Sequence, residues 1–239
     1  MTKKALNQNS KYTQKLIDTI EPDFIFSNKP INRFKDQNNL DEFDKIDKIE
    51  KIKQLKDQIF SIQNCKLKNS SKNLIMGEGN LNSQIMIVGG APGYEEIKSG
   101  STFQGEVGNL LKKMLSAINI KIGNIYKTYV VNFRPPEDRK PNSQEIKRYS
   151  VFLKEHISIV NPKIIILFGS TAMEAITNSS TKVSEERGKW KEIIIKNNTI
   201  CYMITFSPSY LMRFPDNKKY SWEDLKKIRQ KILDLEITI

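Results

Sequence analysis

The sequence predicts an α/β fold, a three-layer α/β/α arrangement around a central, mainly parallel sheet. Two observations carry this. Short apolar runs without polar interruption, Ile85 to Val88 and Ile164 to Phe168, are each cut off by glycine, as strands buried on both faces would be. Between such runs lie stretches with apolar residues every three or four positions, the period of a helix packed on one side.

In chain order, residues 1–50 are rich in Lys, Asn and Asp and read as a flexible extension, basic at its start though with nine Lys and Arg against nine Asp and Glu in all, leaving 51–239 as the folded domain. Phe43, Ile46, Ile49, Ile52, Leu55, Ile59 and Ile62 form one stripe, predicting a helix from Asp41 to Asn64. The strand at 85–88 runs into Gly89-Gly90-Ala91-Pro92-Gly93. Val107, Leu110, Leu111, Met114 and Leu115 give Gly105 to Ile118 a helical face. Tyr126 to Phe133 is β-branched and aromatic and predicts a strand, ended by the proline-rich stretch 134–141. Asn142 and Glu145 fit a capping box for a helix to about Val160. Lys163 to Gly169 is the next strand, with a short helix from Ser170. Strands follow at 192–196 and 200–206, a loop at 208–215, and a terminal helix over 222–235.

The chain has 39 Lys and Arg against 27 Asp and Glu, a net charge of +12. That balance favours a polyanionic partner, since each neutralised phosphate releases counterions; a lysine-rich surface without a partner is the plainer reading. The two cysteines, Cys65 and Cys201, make neither a disulfide framework nor a CxxC site. With no leader-like start and no run of membrane-spanning length, the expectation is a cytoplasmic monomer with no membrane contact.

Loops at the carboxyl ends of parallel strands build ligand sites. Three fall there: 89–93, 132–136 and 207–213, and Phe103-Gln104-Gly105 opens the helix after the first. Gly89 to Gly93 is not a phosphate loop, for no Lys-Ser/Thr pair follows. The succession of GlyGlyAlaProGly (89–93), Glu95-Glu96, Gly100, Phe103-Gln-Gly105, Gly108, Asn132-Phe-Arg-Pro-Pro136, Arg187-Gly188 and Ser207-Pro-Ser-Tyr-Leu-Met-Arg213 resembles the uracil-DNA glycosylase superfamily. It is most similar to family 4, whose members carry an iron–sulfur cluster, and the likeness runs from about Gln63 to Leu233.

The resemblance implies that Gly89, Gly90, Ala91, Pro92 and Gly93 contact a flipped base and the attacking water. It implies that Phe103 stacks on the pyrimidine, Asn132 reads its edge and Ser207 bears on the departing base, making Gly90, Asn132 and Ser207 the catalytic positions. Arg134, Arg139, Lys140, Leu211, Met212 and Arg213 are the expected DNA contacts. The chemistry suits these types: a base must leave the stack to be cut, and an amide offers both donors and an acceptor to uracil.

Four departures stand beside the likeness. Gly90 replaces the glutamate usual in that loop, and Ser207 replaces a histidine; loss of one preorganised donor typically costs about 2.7–4 kcal/mol in the transition state. Of four cluster cysteines only Cys65 has a counterpart, Ile62, Phe133 and Tyr149 standing at the others, so no cofactor is expected. Thr102 and Gln104 flank Phe103 in place of proline and valine. The only histidine, His156, is read as a surface or interhelical residue, and Cys201 as a buried small hydrophobe. The expected function is excision of uracil or another deaminated base from DNA, initiating base excision repair. The alternatives are an impaired glycosylase fold that binds DNA or senses damage and, more remotely, a small-nucleotide-binding domain.

Overall fold

The four central strands are in register at their carboxyl ends, and this alignment makes one edge of the sheet into a site. In the computed structural model, which describes residues 37–71 and 73–237, the sheet has six strands. They are β1 (Glu78–Gly79), β2 (Ile85–Gly89), β3 (Tyr126–Tyr129), β4 (Ile164–Phe168), β5 (Trp190–Ile195) and β6 (Asn198–Thr205). Their order is β1-β3-β2-β4-β6-β5, parallel except for the antiparallel edges β1 and β5. Gly89 pairs with Tyr129, Val88 with Leu167, and Phe168 with Thr205. The loops after β2, β3, β4 and β6 therefore leave the sheet side by side.

Every residue of β2 and of β4 is buried, because helices cover both faces. Met86 and Val88 pack with Leu55 and Ile59 of α1 (Gln37–Ser61), with Leu153 and Ile157 of α5 (Ser143–Val160), and with Met173 of α6 (Gly169–Thr177). Ile85 and Ile87 point the other way, to Leu111 and Leu115 of α4 (Gly105–Ser116) and Leu225 and Ile228 of α9 (Lys218–Asp234). Among the described residues four short α-helices complete the set: α2 (Lys66–Ser70), α3 (Tyr94–Ser99), α7 (Val183–Glu186) and α8 (Pro208–Arg213). From Glu42 onward the chain forms one compact unit. Among the described residues no helix is long and apolar enough to cross a membrane.

Several expectations change in detail. Of the extension expected over 1–50, residues 1–36 lie outside the described residues, and 37–50 belong to α1. Of the stripe expected along α1, the Phe43 side chain lies outside what is described, Ile46 and Ile49 are exposed, and Ile52 is the first described member to pack against the core. The strand expected over 126–133 leaves the ladder after Tyr129, although Val130 and Val131 still donate to the carbonyls of Gly89 and Gly90. The loop expected at 208–215 begins with helix α8: Ser207 caps it, its Oγ accepting from Tyr210 N at 3.2 Å, and Pro208 takes the first turn, where no N–H is needed. Cys201 is half-buried rather than buried.

His156 is not a surface residue. It is buried on α5 with Nε2 2.8 Å from Tyr126 Oη and Nδ1 3.5 Å from Thr128 Oγ1. Burial pushes its pKa down to about 4. The fold thus holds a neutral imidazole, whereas the unfolded chain takes up a proton below about pH 6.5. Stability from this group is complete above that pH and is lost as pH falls toward 4, by on the order of 3 kcal/mol. Urea unfolding across this window should show the decline, and His156→Gln, though less stable at neutral pH, should flatten it.

Candidate active site

The loops at the carboxyl edge enclose a cleft of ≈ 1040 Å³. Gly89 to Gly93 line it from β2, Tyr129 from β3, Phe168 to Thr171 from β4 and α6, and Phe206 to Tyr210 with Met212 and Arg213 from β6 and α8. Phe103 lies on its wall, and Arg139 and Lys140 on its rim.

The inner part is fixed by one buried carboxylate. Glu96, at the third position of α3, accepts from Gly93 N through Oε2 at 2.9 Å. Its Oε1 accepts from Gln104 N at 3.0 Å and from the Tyr129 hydroxyl at 3.3 Å. That hydroxyl oxygen in turn accepts from Phe103 N at 2.8 Å. Burial, and the Glu96 carboxylate beside it, hold the Tyr129 phenol well above its ordinary pKa, so it stays a neutral donor.

The rings of Phe103 and Tyr129 stack with centroids 4.8 Å apart. They press against Gly89: a Cβ there would lie 2.8 Å from Tyr129 Cδ1 and 2.9 Å from Phe103 Cζ, so the first position of the loop is closed to any side chain. Phe103 itself has φ of 51°, a conformation costly for an aromatic residue. Its carbonyl passes Gly108 so closely that a Cβ at 108 would fall 1.8 Å from it.

The sequence-predicted residues fare differently. Gly89, Gly90, Ala91, Pro92, Gly93, Phe103, Ser207, Arg139, Lys140, Met212 and Arg213 all line the cleft. Asn132 does not: it is 3% exposed and its amide donates to Ile75 O at 3.0 Å, on the far side of the β3 extension. No asparagine or glutamine is among the lining residues, and Tyr129 stands at the strand end instead. Leu211 is 1% exposed and packs in the core rather than lining the cleft. Arg134 lies outside the cleft, over the Tyr94 ring and bidentate to Asp138 at 2.7 and 2.8 Å; this pairing holds the Asp138 carboxyl below its usual range. Arg139 reaches the rim but is bidentate to Glu145 at 2.8 and 2.7 Å. Ser207 Oγ lies 3.1 Å from Ser209 Oγ. At Gly90 a Cβ would lie 3.1 Å from Thr171 Cβ, so a carboxylate side chain enters only if Thr171 yields. Lys182, Ser170, Thr171 and Tyr210 are lining residues that the sequence did not single out.

Residues 76–228 match the uracil DNA glycosylase superfamily, over more than half of the chain. The chain belongs to that superfamily. A type-4 uracil-DNA glycosylase of Sulfurisphaera tokodaii is 35% identical over 183 residues, covering 73% of this chain and 82% of that protein. That of Thermotoga maritima is 34% identical over 168 residues, covering 69% and 86%. That of Pyrobaculum aerophilum is 34% identical over 155 residues, covering 63% and 79%.

The iron–sulfur cluster implied by the family-4 likeness finds no donor set in this superfamily member. Cys65, Phe133 and Tyr149 are buried together with Ile62 packed against them, and Cys65 Sγ lies 3.3 Å from Tyr149 Oη. One thiol, a phenol, a phenyl ring and an aliphatic chain do not hold a four-iron cluster. Among the described residues no group of three or more His, Cys, Asp or Glu could hold a metal.

Removing the Glu96 carboxylate tests the inner scaffold. Glu96→Ala should lower the stability by about 1–3 kcal/mol, the usual cost of stranding buried donors, read from the urea midpoint. Hydrogen exchange at the Gly93 and Gln104 amides should accelerate beyond that at β4.

Proposed function

We propose that this chain hydrolyses the N-glycosidic bond of uracil in DNA, as a cytoplasmic monomer initiating base excision repair. The observation that supports it is the cleft itself: four segments distant in sequence meet at the carboxyl edge of the sheet in a member of the uracil DNA glycosylase superfamily. DNA would bring its strand across Lys140, Lys182 and Arg213 and turn one nucleotide inward.

In this reading the base lies over loop 89–93 beside Phe103. Bond breaking leaves positive charge on the sugar and negative charge on the uracil, so donors near the base oxygens act more on the transition state than on the ground state. With glycine at 90 and serine at 207, those donors are neutral: the hydroxyls of Ser207, Ser170 and Thr171 and backbone N–H groups. A hydroxyl rotates between donor and acceptor roles, which a fixed amide does not. The proposed substrate range therefore extends to other deaminated bases.

The test is base release under single-turnover conditions from DNA carrying uracil, hypoxanthine or xanthine. Uracil should be released, and Ser207→Ala should slow release by on the order of a hundredfold, with an unfolding measurement to separate the lost helix cap. Tight binding of uracil DNA with no base released at stoichiometric protein would replace this reading with that of a DNA-binding damage sensor.

A further inference from the structure

The cleft does not end at the base. From its inner wall a ladder of three aromatic rings climbs outward along α8. Phe206 and Tyr210 stack at 4.9 Å with planes 21° apart, and Tyr210 and Phe214 follow at 4.8 Å and 39°. Exposure rises along it: Phe206 is 8% exposed, Tyr210 half-buried and Phe214 52% exposed. The lower two rings line the cleft, so the ladder connects its interior to its outer rim.

Both lower rungs are fastened. The Arg187 guanidinium sits 5.6 Å from the Phe206 ring centroid and is held by Asp224, which is buried at the base of α9 and accepts from Arg187 Nη2 at 2.8 Å and Nε at 3.0 Å. The Tyr210 hydroxyl accepts from Asn217 Nδ2 at 3.0 Å, tying the middle rung to the turn before α9. Phe214 caps the C-terminus of α8 and donates its backbone N–H to Tyr210 O at 2.9 Å. The top ring is thus presented on a braced support, with little to order when something lands on it.

Cations flank that ring along the chain, Lys219 with its Nζ 5.1 Å from the Tyr220 ring centroid. Arg213 precedes it, and Lys218 and Lys219 follow within one turn of α9; none of the three has an ion pair among the described residues, and Asp216 is the acidic residue between them. Met212, 37% exposed, lies on the cleft side. Aromatic rings interleaved with unpaired cations are the combination that stacks bases while neutralising the strand between them.

We infer that Phe214 is a stacking platform for an unpaired DNA base flanking the nucleotide in the cleft, with Arg213, Lys218 and Lys219 on the adjoining phosphates. The platform takes unpaired bases because in a duplex both faces of each base are already stacked. It goes beyond the excision reading, since it assigns a second nucleotide subsite outside the base cleft. It is also independent of catalysis, since no deaminated base is needed to occupy it.

The experiment uses uracil-free DNA, so its outcome is separate from that of the base-release assay. Binding of a fluorescent oligothymidylate and of a duplex of equal length is measured against salt for the full chain and its variants. Phe214→Ala should weaken single-strand binding about tenfold with an unchanged salt slope, leave duplex binding within twofold, and lower the thermal unfolding midpoint by no more than a few degrees, the loss of one half-exposed ring stack. Phe214→Trp should restore affinity, with indole emission quenched on binding. Lys218→Ala should reduce the salt slope by about one. Phe60 is equally exposed, at 52%, but lies on α1, which packs on the other face of the sheet from α9, and Phe60→Ala should bind as the parent does. The inference is overturned if Phe214→Ala binds oligothymidylate normally, if it weakens duplex binding equally, if the introduced indole is not quenched, or if Phe60→Ala loses as much.

Discussion

The Glu96 carboxylate holds the site together. Loop 89–93, the strained turn at Phe103 and the end of β3 come from three parts of the chain, and each donates to the same buried group. The two oxygens of a carboxyl group accept from several donors at once. With these bonds in place, Phe103 keeps its positive φ, its ring stays stacked on Tyr129, and Gly89 closes the base of the cleft. The carboxylate sits one turn into α3, so the short helix that follows the glycine loop serves as the anchor of that loop.

The charge of the molecule is divided between rim and floor. Lys140, Lys182 and Arg213 stand at the mouth, while the floor is built from glycines, hydroxyls, two stacked rings and the Glu96 carboxylate, which is occupied by the hydrogen bonds of the scaffold. Glycine at 90 and serine at 207 leave the reacting edge without the carboxylate and imidazole that the family-4 likeness leads one to expect there. On the proposed function, such a cleft would draw a polyanion by field and hold a base by stacking and neutral hydrogen bonds. The core has changed in parallel: where the likeness calls for thiolates, Tyr149 and Phe133 fill the space and the Tyr149 hydroxyl meets the single remaining Cys65 thiol.

The layers of the fold were legible because buried parallel strands need unbroken apolar runs, and 85–88 and 164–168 are such runs. The capping box at Asn142 was legible for the same kind of reason: it is a local bond between residues three apart. What escaped was orientation. The strand ends at Tyr129 and the chain bends over 130–132, so strand alternation does not carry to Asn132, whose amide is spent on Ile75 O, and the aromatic residue rather than the amide meets the cleft. Reading 208–215 as a loop gave Leu211, Met212 and Arg213 one common surface. As a helix begun by Ser207 and Pro208, that segment turns Leu211 inward and leaves the other two on the cleft. The pairing of Arg134 with Asp138 and of Arg139 with Glu145 depends on loop geometry that charge counting does not contain.

The central claim is that a DNA base leaves the stack and enters the cleft between loop 89–93, Phe103 and Ser207. Photo-crosslinking with a single 4-thiodeoxyuridine in DNA, mapped by mass spectrometry of the cross-linked peptides, reads that contact without requiring turnover. The account predicts adducts within 89–104, at Tyr129 or within 207–213. Adducts confined to surfaces away from these segments, at saturating protein, would contradict it.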